Sequence, residues 1–170
     1  MTTILAIDPG ASGGIAWLSP DNAMAWKMPD TPRDLWDLLY DLAGKSDRAV
    51  IERVQATPGG GNKDDDGKNT RKMGAKSAFA FGRSFGELRM VLTACSALRG
   101  VPYEEVAPGV WQRPFSLPTT KAAGTQTAKK NAHKARAQEL FPSLRITHAT
   151  ADALLIGEWL RRRCASEVAA

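Results

Sequence analysis

Three acids of this 170-residue chain sit at the edges of apolar runs. Asp8 follows Ile4-Leu5-Ala6-Ile7, Glu52 follows Ala49-Val50-Ile51, and Asp152 comes just before Leu154-Leu155-Ile156. An ionised carboxylate beside a core is costly unless it is paired or binds a metal. Taken singly each has a plain reading; Asp8, for example, can cap the Pro-Gly-Ala-Ser-Gly-Gly turn that follows it. Brought together, the three repel one another, which ordinary cores avoid. A pair of divalent cations removes that repulsion. Hard oxygen ligands with an imidazole nearby suit Mg²⁺ or Mn²⁺. His148 lies four residues before Asp152 and shares its face if one helix covers both. Two such ions about 3.5–4 Å apart would activate a water and stabilise the leaving oxygen of a phosphodiester.

The order of elements decides whether the acids can meet. Residues 4–8, 13–18 and 22–28 read as three antiparallel strands joined by a Gly-rich segment and a Ser19-Pro20-Asp21-Asn22 turn. Thr31-Pro32-Arg33-Asp34 starts a helix with a capping-box-like pattern. Leu35, Leu38, Leu39 and Leu42 give it one apolar stripe, and Gly44 stops it. Arg48–Glu52 is a short buried strand. Residues 75–98 carry a long helical pattern, with Phe81, Phe85, Leu88, Leu92 and Cys95 on one stripe. Ala78, Gly82 and Gly86 form a neighbouring small-residue stripe that lets another backbone approach, from the chain's own sheet or from a second copy. Residues 101–106 read as a strand that Pro108-Gly109 ends, and 110–128 as an irregular loop. A basic helix over 129–140 stops at Phe141-Pro142. A last helix, capped by Thr150, runs to Arg163, with Arg161, Arg162 and Arg163 at the negative end of its dipole.

Strands reached through helical crossovers pair in parallel. The expected fold is therefore α/β, one domain with a mixed five-stranded sheet of three antiparallel strands followed by parallel ones, flanked by helices. The first and fourth strands can be neighbours, and Asp8 and Glu52 then end side by side.

Residues 56–74 have almost no apolar content and read as a mobile loop. Lys63, Lys68, Arg71 and Lys72 in it can reach phosphates, with Asp64, Asp65 and Asp66 opposing. The formal net charge of +5 favours an anionic partner such as nucleic acid. Cys95 and Cys164 offer neither a disulfide framework nor metal-ligand spacing and read as free thiols in a reducing compartment. No signal-peptide pattern and no apolar run of membrane-spanning length is present, so a soluble, intracellular protein is expected.

At this point the sequence resembles the RuvC-type Holliday junction resolvases of the ribonuclease H-like superfamily. The likeness rests on Ile4-Leu-Ala-Ile-Asp-Pro-Gly-Ala-Ser-Gly-Gly14, Val50-Ile-Glu-Arg-Val54 and Ala151-Asp-Ala-Leu-Leu-Ile156. Phe81-Gly82, Val106-Ala-Pro-Gly-Val-Trp111, Leu140-Phe-Pro-Ser-Leu144 and His148-Ala-Thr-Ala-Asp152 look closer still to the chloroplast branch and its bacterial and phage relatives. The resemblance implies a ribonuclease H-like nuclease domain over 1–170. It implies a homodimer that nicks two strands of a four-way DNA junction symmetrically with Mg²⁺, for which Mn²⁺ substitutes. Carried over by motif, Asp8, Glu52 and Asp152 are the metal-binding acids and His148 is the fourth ligand. Ala149 stands where bacterial RuvC proteins usually carry another acid or His. Lys130 and Lys134 match basic positions that hold the scissile phosphate or stabilise developing charge, with Lys129 beside them on the DNA side. Val54 and Gln55 occupy the place of the family's junction wedge, where neither is aromatic, and Gln55 is assigned to DNA. The setting implied is the cytoplasm of a bacterial or phage-infected cell, or an organelle-like reducing compartment.

Three alternatives share some of these features. A nuclease of the same fold can act on branched DNA more broadly or on RNA/DNA hybrids. A junction-binding protein can have lost its chemistry. The Asp-Pro-Gly-Ala-Ser-Gly turn also resembles the phosphate hairpin of actin-like kinases. Those need two such lobes where this length supplies one, so no nucleotide cofactor is expected.

Overall fold

The computed structural model describes residues 2–54 and 75–168. Its centre is a five-stranded sheet in the order β3-β2-β1-β4-β5. Strands β1 (Ile4–Asp8), β2 (Gly14–Leu18) and β3 (Ala23–Lys27) form the antiparallel meander. Helix α1 (Pro32–Ala43) then leads to β4 (Arg48–Glu52), parallel to β1, and helix α2 (Ala75–Arg99) leads to β5 (Tyr103–Val106), parallel to β4. Helices α3 (Pro108–Gln112), α4 (Thr120–Ala123), α5 (Gln126–Leu140) and α6 (His148–Val168) complete the order. The mixed sheet expected from the pattern is the sheet observed. Among the described residues no helix is long and apolar enough to cross a membrane.

Strand periodicity divides the core into two layers. Side chains alternate between faces along a strand. Leu5, Ile7, Ala49 and Ile51 therefore meet Leu35, Leu39 and Leu42 of α1 and Leu88, Leu92 and Cys95 of α2. Ile4, Ala6 and Val50 point the other way, onto Leu154, Leu155 and Trp159 of α6, with Trp111 of α3 and Ala137 of α5 behind them. Asp8 and Glu52 share parity with Ile4 and Val50, so they belong to the face that α6 covers.

Two glycines let α6 lie this close. A Cβ on Gly157 would meet the Leu18 side chain at 2.6 Å and Ala6 Cβ at 3.2 Å. A Cβ on Gly14 would stand 2.3 Å from the Ala149 carbonyl oxygen and 2.7 Å from that of Trp26. Both obstacles at Gly14 are backbone, one at the α6 start and one on β3, so relief needs both the α6 start and β3 to shift relative to β2. Gly14→Ala is expected to lower stability by about 1–3 kcal/mol and to displace Asp152, three residues beyond Ala149. Denaturant unfolding checks the first effect.

Several sequence expectations change. The 110–128 stretch is not an irregular loop: it holds α3, a 3₁₀ turn over Arg113–Phe115, and α4, and α5 begins at Gln126 rather than 129. Pro108 opens α3 as its first residue instead of ending a strand without continuation. Thr150 does not cap α6 from outside. The helix starts at His148, and the Thr150 hydroxyl accepts a 3.0 Å hydrogen bond from the Thr147 backbone N–H, as in a capping box. Gly44 does stop α1, as expected, and does so in a right-handed conformation with φ −62°.

Helix α6 also runs past Arg163, which moves the three arginines off its end. A helix dipole acts only within the last turn. Arg161 and Arg162 instead pair with the buried Glu158, and Arg163 pairs with Glu104 of β5. Cys164 is buried in this packing, and both cysteines are free. The small-residue stripe does not face the sheet, since a Cβ on Gly82 or Gly86 would meet nothing within 4 Å.

Candidate metal and nuclease centre

In the parallel pair of β1 and β4, Ile7 lies opposite Ile51. The next residues, Asp8 and Glu52, are therefore neighbours at the carboxyl ends of the two central strands. Helix α6 crosses this face and brings Asp152 to them from its first turns. The Gly13 position leaves no room for a side chain, because its Cβ would stand 2.1 Å from the Asp8 carbonyl oxygen and 3.2 Å from Asp8 Oδ2. That tight turn after β1 keeps the Asp8 carboxylate open to the shared space.

The acids act on one another electrostatically. Burial, then Asp152, then Glu52 push the Asp8 carboxyl well above its ordinary range, and Lys130 pulls the other way. Burial is also the main cause that raises Glu52; the Trp111 hydrogen bond opposes it, Asp152 adds to it, and Lys129 and His133 oppose it. These are the three acids singled out in the sequence, with two of the three lysines beside them. Lys134 stands exposed one turn further along α5 and is not among the charges that bear on Asp8 or Glu52.

Two side chains that the sequence reading passed over hold the centre. Trp111 Nε1–H donates to Glu52 Oε2 at 2.6 Å, and His133 Nδ1 lies 2.7 Å from Asp152 Oδ1. The two rings meet edge to face, centroids 5.9 Å apart at an interplanar angle of 83°. The imidazole against Asp152 is thus His133. His148 does share a helix face with Asp152, as its spacing predicts, but its exposed ring pairs through Nε2 with Asn131 Oδ1 at 2.9 Å. Gln55, Lys63, Lys68, Arg71 and Lys72 lie outside the described residues, as does the expected mobile loop.

Among the described residues no group of three or more His, Cys, Asp or Glu side chains is closed up as a ready-made cation cage. Each of Glu52 and Asp152 is held by one oxygen to a buried ring. The donor set itself fits a hard divalent ion. It consists of carboxylate oxygens, and Asp8 accepts no side-chain hydrogen bond among the described residues.

Solved structures share this arrangement of elements. A Thermus thermophilus RuvC in complex with a Holliday junction substrate matches at a TM-score of 0.55, with 11% identity, over 95% of this chain and 96% of that chain. A second Thermus thermophilus RuvC structure matches at 0.51, with 12% identity, over 95% and 96%. The fold is ribonuclease H-like. A third structure, of the yeast mitochondrial Holliday junction resolvase Ydc2, aligns at 0.45 with 12% identity, over 96% of this chain and 81% of that chain. No protein-family model and no curated protein matches the sequence. In this ribonuclease H-like sheet the carboxyl ends of the paired β1 and β4 form the floor of the centre, and α5 and α6 form its walls.

Proposed function

We propose that the protein is a metal-dependent, structure-selective endonuclease that resolves four-way DNA junctions by paired symmetric nicks. One observation carries the reading. Acids from three separate stretches of chain, Asp8, Glu52 and Asp152, meet at the carboxyl ends of the central strands with Lys129 and Lys130 bearing on them. The likeness in fold to a RuvC solved on a Holliday junction supports the choice of substrate. The His148-Ala-Thr-Ala-Asp152 motif favours the chloroplast and phage-like branch.

Asp8, Glu52 and Asp152 would hold Mg²⁺ or Mn²⁺, two ions per site, with His148 as fourth ligand after releasing Asn131. Bound there, the ions would supply an activated water and stabilisation of the leaving oxygen. The chain's own residues do the rest. Lys130, whose charge already bears on Asp8, neutralises the phosphate that enters, and Lys134 extends the positive track along α5. Lys129 offsets Glu52 and adds a backbone contact. With Gln55, Lys63, Lys68, Arg71 and Lys72 on the same partner, most affinity comes from phosphates and falls steeply with salt.

A two-fold junction is matched by a two-fold dimer. We assign the second copy to the outward face of α2. The helix buries Leu88, Leu92 and Cys95 inward, yet its opposite face carries Phe79 and Met90 at 74% and 68% exposure, with open space over Gly82 and Gly86 between them. Met90→Asp is expected to halve the sedimenting mass and to uncouple the two nicks, while single-strand nicking survives.

Cleavage of a junction, a flap and an RNA/DNA hybrid in parallel tests the substrate. Preference for the junction supports the proposal. Equal cutting of flap or hybrid moves the assignment to a broader nuclease of this fold.

A further inference from the structure

Trp111 and His133 come from different helices and converge beneath the acids. Trp111, on α3, is fully buried, and its only polar atom is spent on Glu52. His133, on α5, is 2% exposed. Its Nδ1 faces Asp152, while its Nε2 is buried with no partner among the described residues. A proton on Nε2 would thus be shut away without an acceptor, so the proton belongs on Nδ1 and is donated to Asp152. The indole likewise can only donate. Each ring therefore engages one oxygen of one carboxylate, Oε2 of Glu52 and Oδ1 of Asp152, and the edge-to-face contact ties ring to ring. The result is a continuous bracket running from Glu52 through Trp111 and His133 to Asp152.

We infer that Trp111 and His133 are positioning residues that set the spacing of Glu52 and Asp152 before any cation arrives and leave Oε1 and Oδ2 as the oxygens offered to it. The inference rests on the metal-dependent reading above. Its physical basis is that two mutually repelling carboxylates will turn away from each other unless something fixes their rotamers. A donor to one oxygen fixes the rotamer while leaving the other oxygen's lone pairs free. Outer donors of this kind orient metal-binding groups and govern affinity. Both rings are buried, Trp111 within the core that α6 covers, and the bracket is in place without DNA.

The test measures Mn²⁺ binding to the full chain without DNA, by electron paramagnetic resonance of free Mn²⁺. Trp111→Phe keeps the ring shape and removes the donor. His133→Asn places an amide N–H where Nδ1 stands, whereas His133→Gln places it nearer Nε2. Trp111→Phe and His133→Gln are expected to weaken Mn²⁺ binding about 10–100-fold, and His133→Asn to stay within about threefold of wild type. Circular dichroism confirms that each variant is folded. Wild-type affinity in Trp111→Phe and His133→Gln overturns the bracket while leaving the metal site standing. Equal losses in the Asn and Gln variants reduce His133 to a space-filler and overturn it too. A wild-type chain that binds no Mn²⁺ overturns the metal-dependent reading and the bracket together. A measurement on the unmodified rings needs no folded variant. The chain has two histidines, so a long-range ¹H–¹⁵N spectrum, with His148→Ala to assign it, reads which nitrogen of His133 is protonated. Nδ1–H is expected, and Nε2–H contradicts the inference.

Discussion

Asp8→Asn is expected to lower junction cleavage by about 10³-fold or more and, in the absence of metal, to make the protein more stable rather than less. The two effects have one origin. Asp8 is pushed toward its neutral form by burial and by the charges of Asp152 and Glu52. Folding at neutral pH therefore works against an acid that would ionise freely in the unfolded chain. An amide of the same shape carries no charge and feels no repulsion. Relief of strain built into a functional site commonly gives about 0.5–2 kcal/mol, or about 2–6 °C in a domain of this size. Thermal melts in EDTA read the gain, and end-labelled junction assays read the loss. A melting temperature that falls in Asp8→Asn would show that the carboxylate stabilises the fold and is not held there for a ligand.

Saturating Mg²⁺ is expected to reverse the order of stabilities. A ligand bound only by the folded state at a hundred times its dissociation constant adds about 2.7 kcal/mol, about 5–10 °C here. Wild type gains this and Asp8→Asn does not. The pH dependence of the metal-free protein follows from the raised values of Asp8 and Glu52. Between the unfolded and folded pKa of each acid, the folded state binds more protons than the unfolded. Stability therefore falls as pH rises through that window, and the full penalty applies above the folded value. Metal-free melts should move upward as pH is lowered from neutral toward the ordinary carboxylate range, until other groups titrate. The Mg²⁺ increment should shrink over the same interval, because protons and cations compete for the same oxygens. Melting curves at several pH values, with and without Mg²⁺, check both slopes.

The parts of the centre that were legible in the sequence are those with a local signature. An apolar run ending in an acid marks a strand that leaves the core at a carboxylate, and both Asp8 and Glu52 announced themselves this way. The alternation of helix and strand then forced parallel pairing and set the two acids side by side. Trp111 and His133 had no such signature. Trp111 lies where the chain breaks into two short helices and a 3₁₀ turn, each too short for an apolar period to emerge. His133 is a single buried imidazole on a helix whose composition is dominated by lysine, arginine and alanine, and the charged residues draw the eye to its solvent side. A Trp in a stretch otherwise read as an irregular loop, with one obligatory donor to satisfy, was the available signal. The misplacing of Arg161, Arg162 and Arg163 has a related cause. Their partners, Glu158 one turn back and Glu104 on β5, are fixed by how α6 lies across the sheet. Ala78, Gly82 and Gly86 gave the spacing of a contact stripe, but not which neighbour it serves.

The central claim is that Asp8, Glu52 and Asp152 form a metal-dependent phosphodiesterase centre directed at branched DNA. It is tested most directly by incubating an end-labelled four-way junction with the wild-type protein in Mg²⁺, with the same protein in EDTA, and with Asp8→Asn in Mg²⁺. Paired nicks at symmetric positions in the first reaction, and none in the other two, are the predicted result. Junction binding without nicks in either Mg²⁺ or Mn²⁺, or nicking that persists in Asp8→Asn, would contradict it.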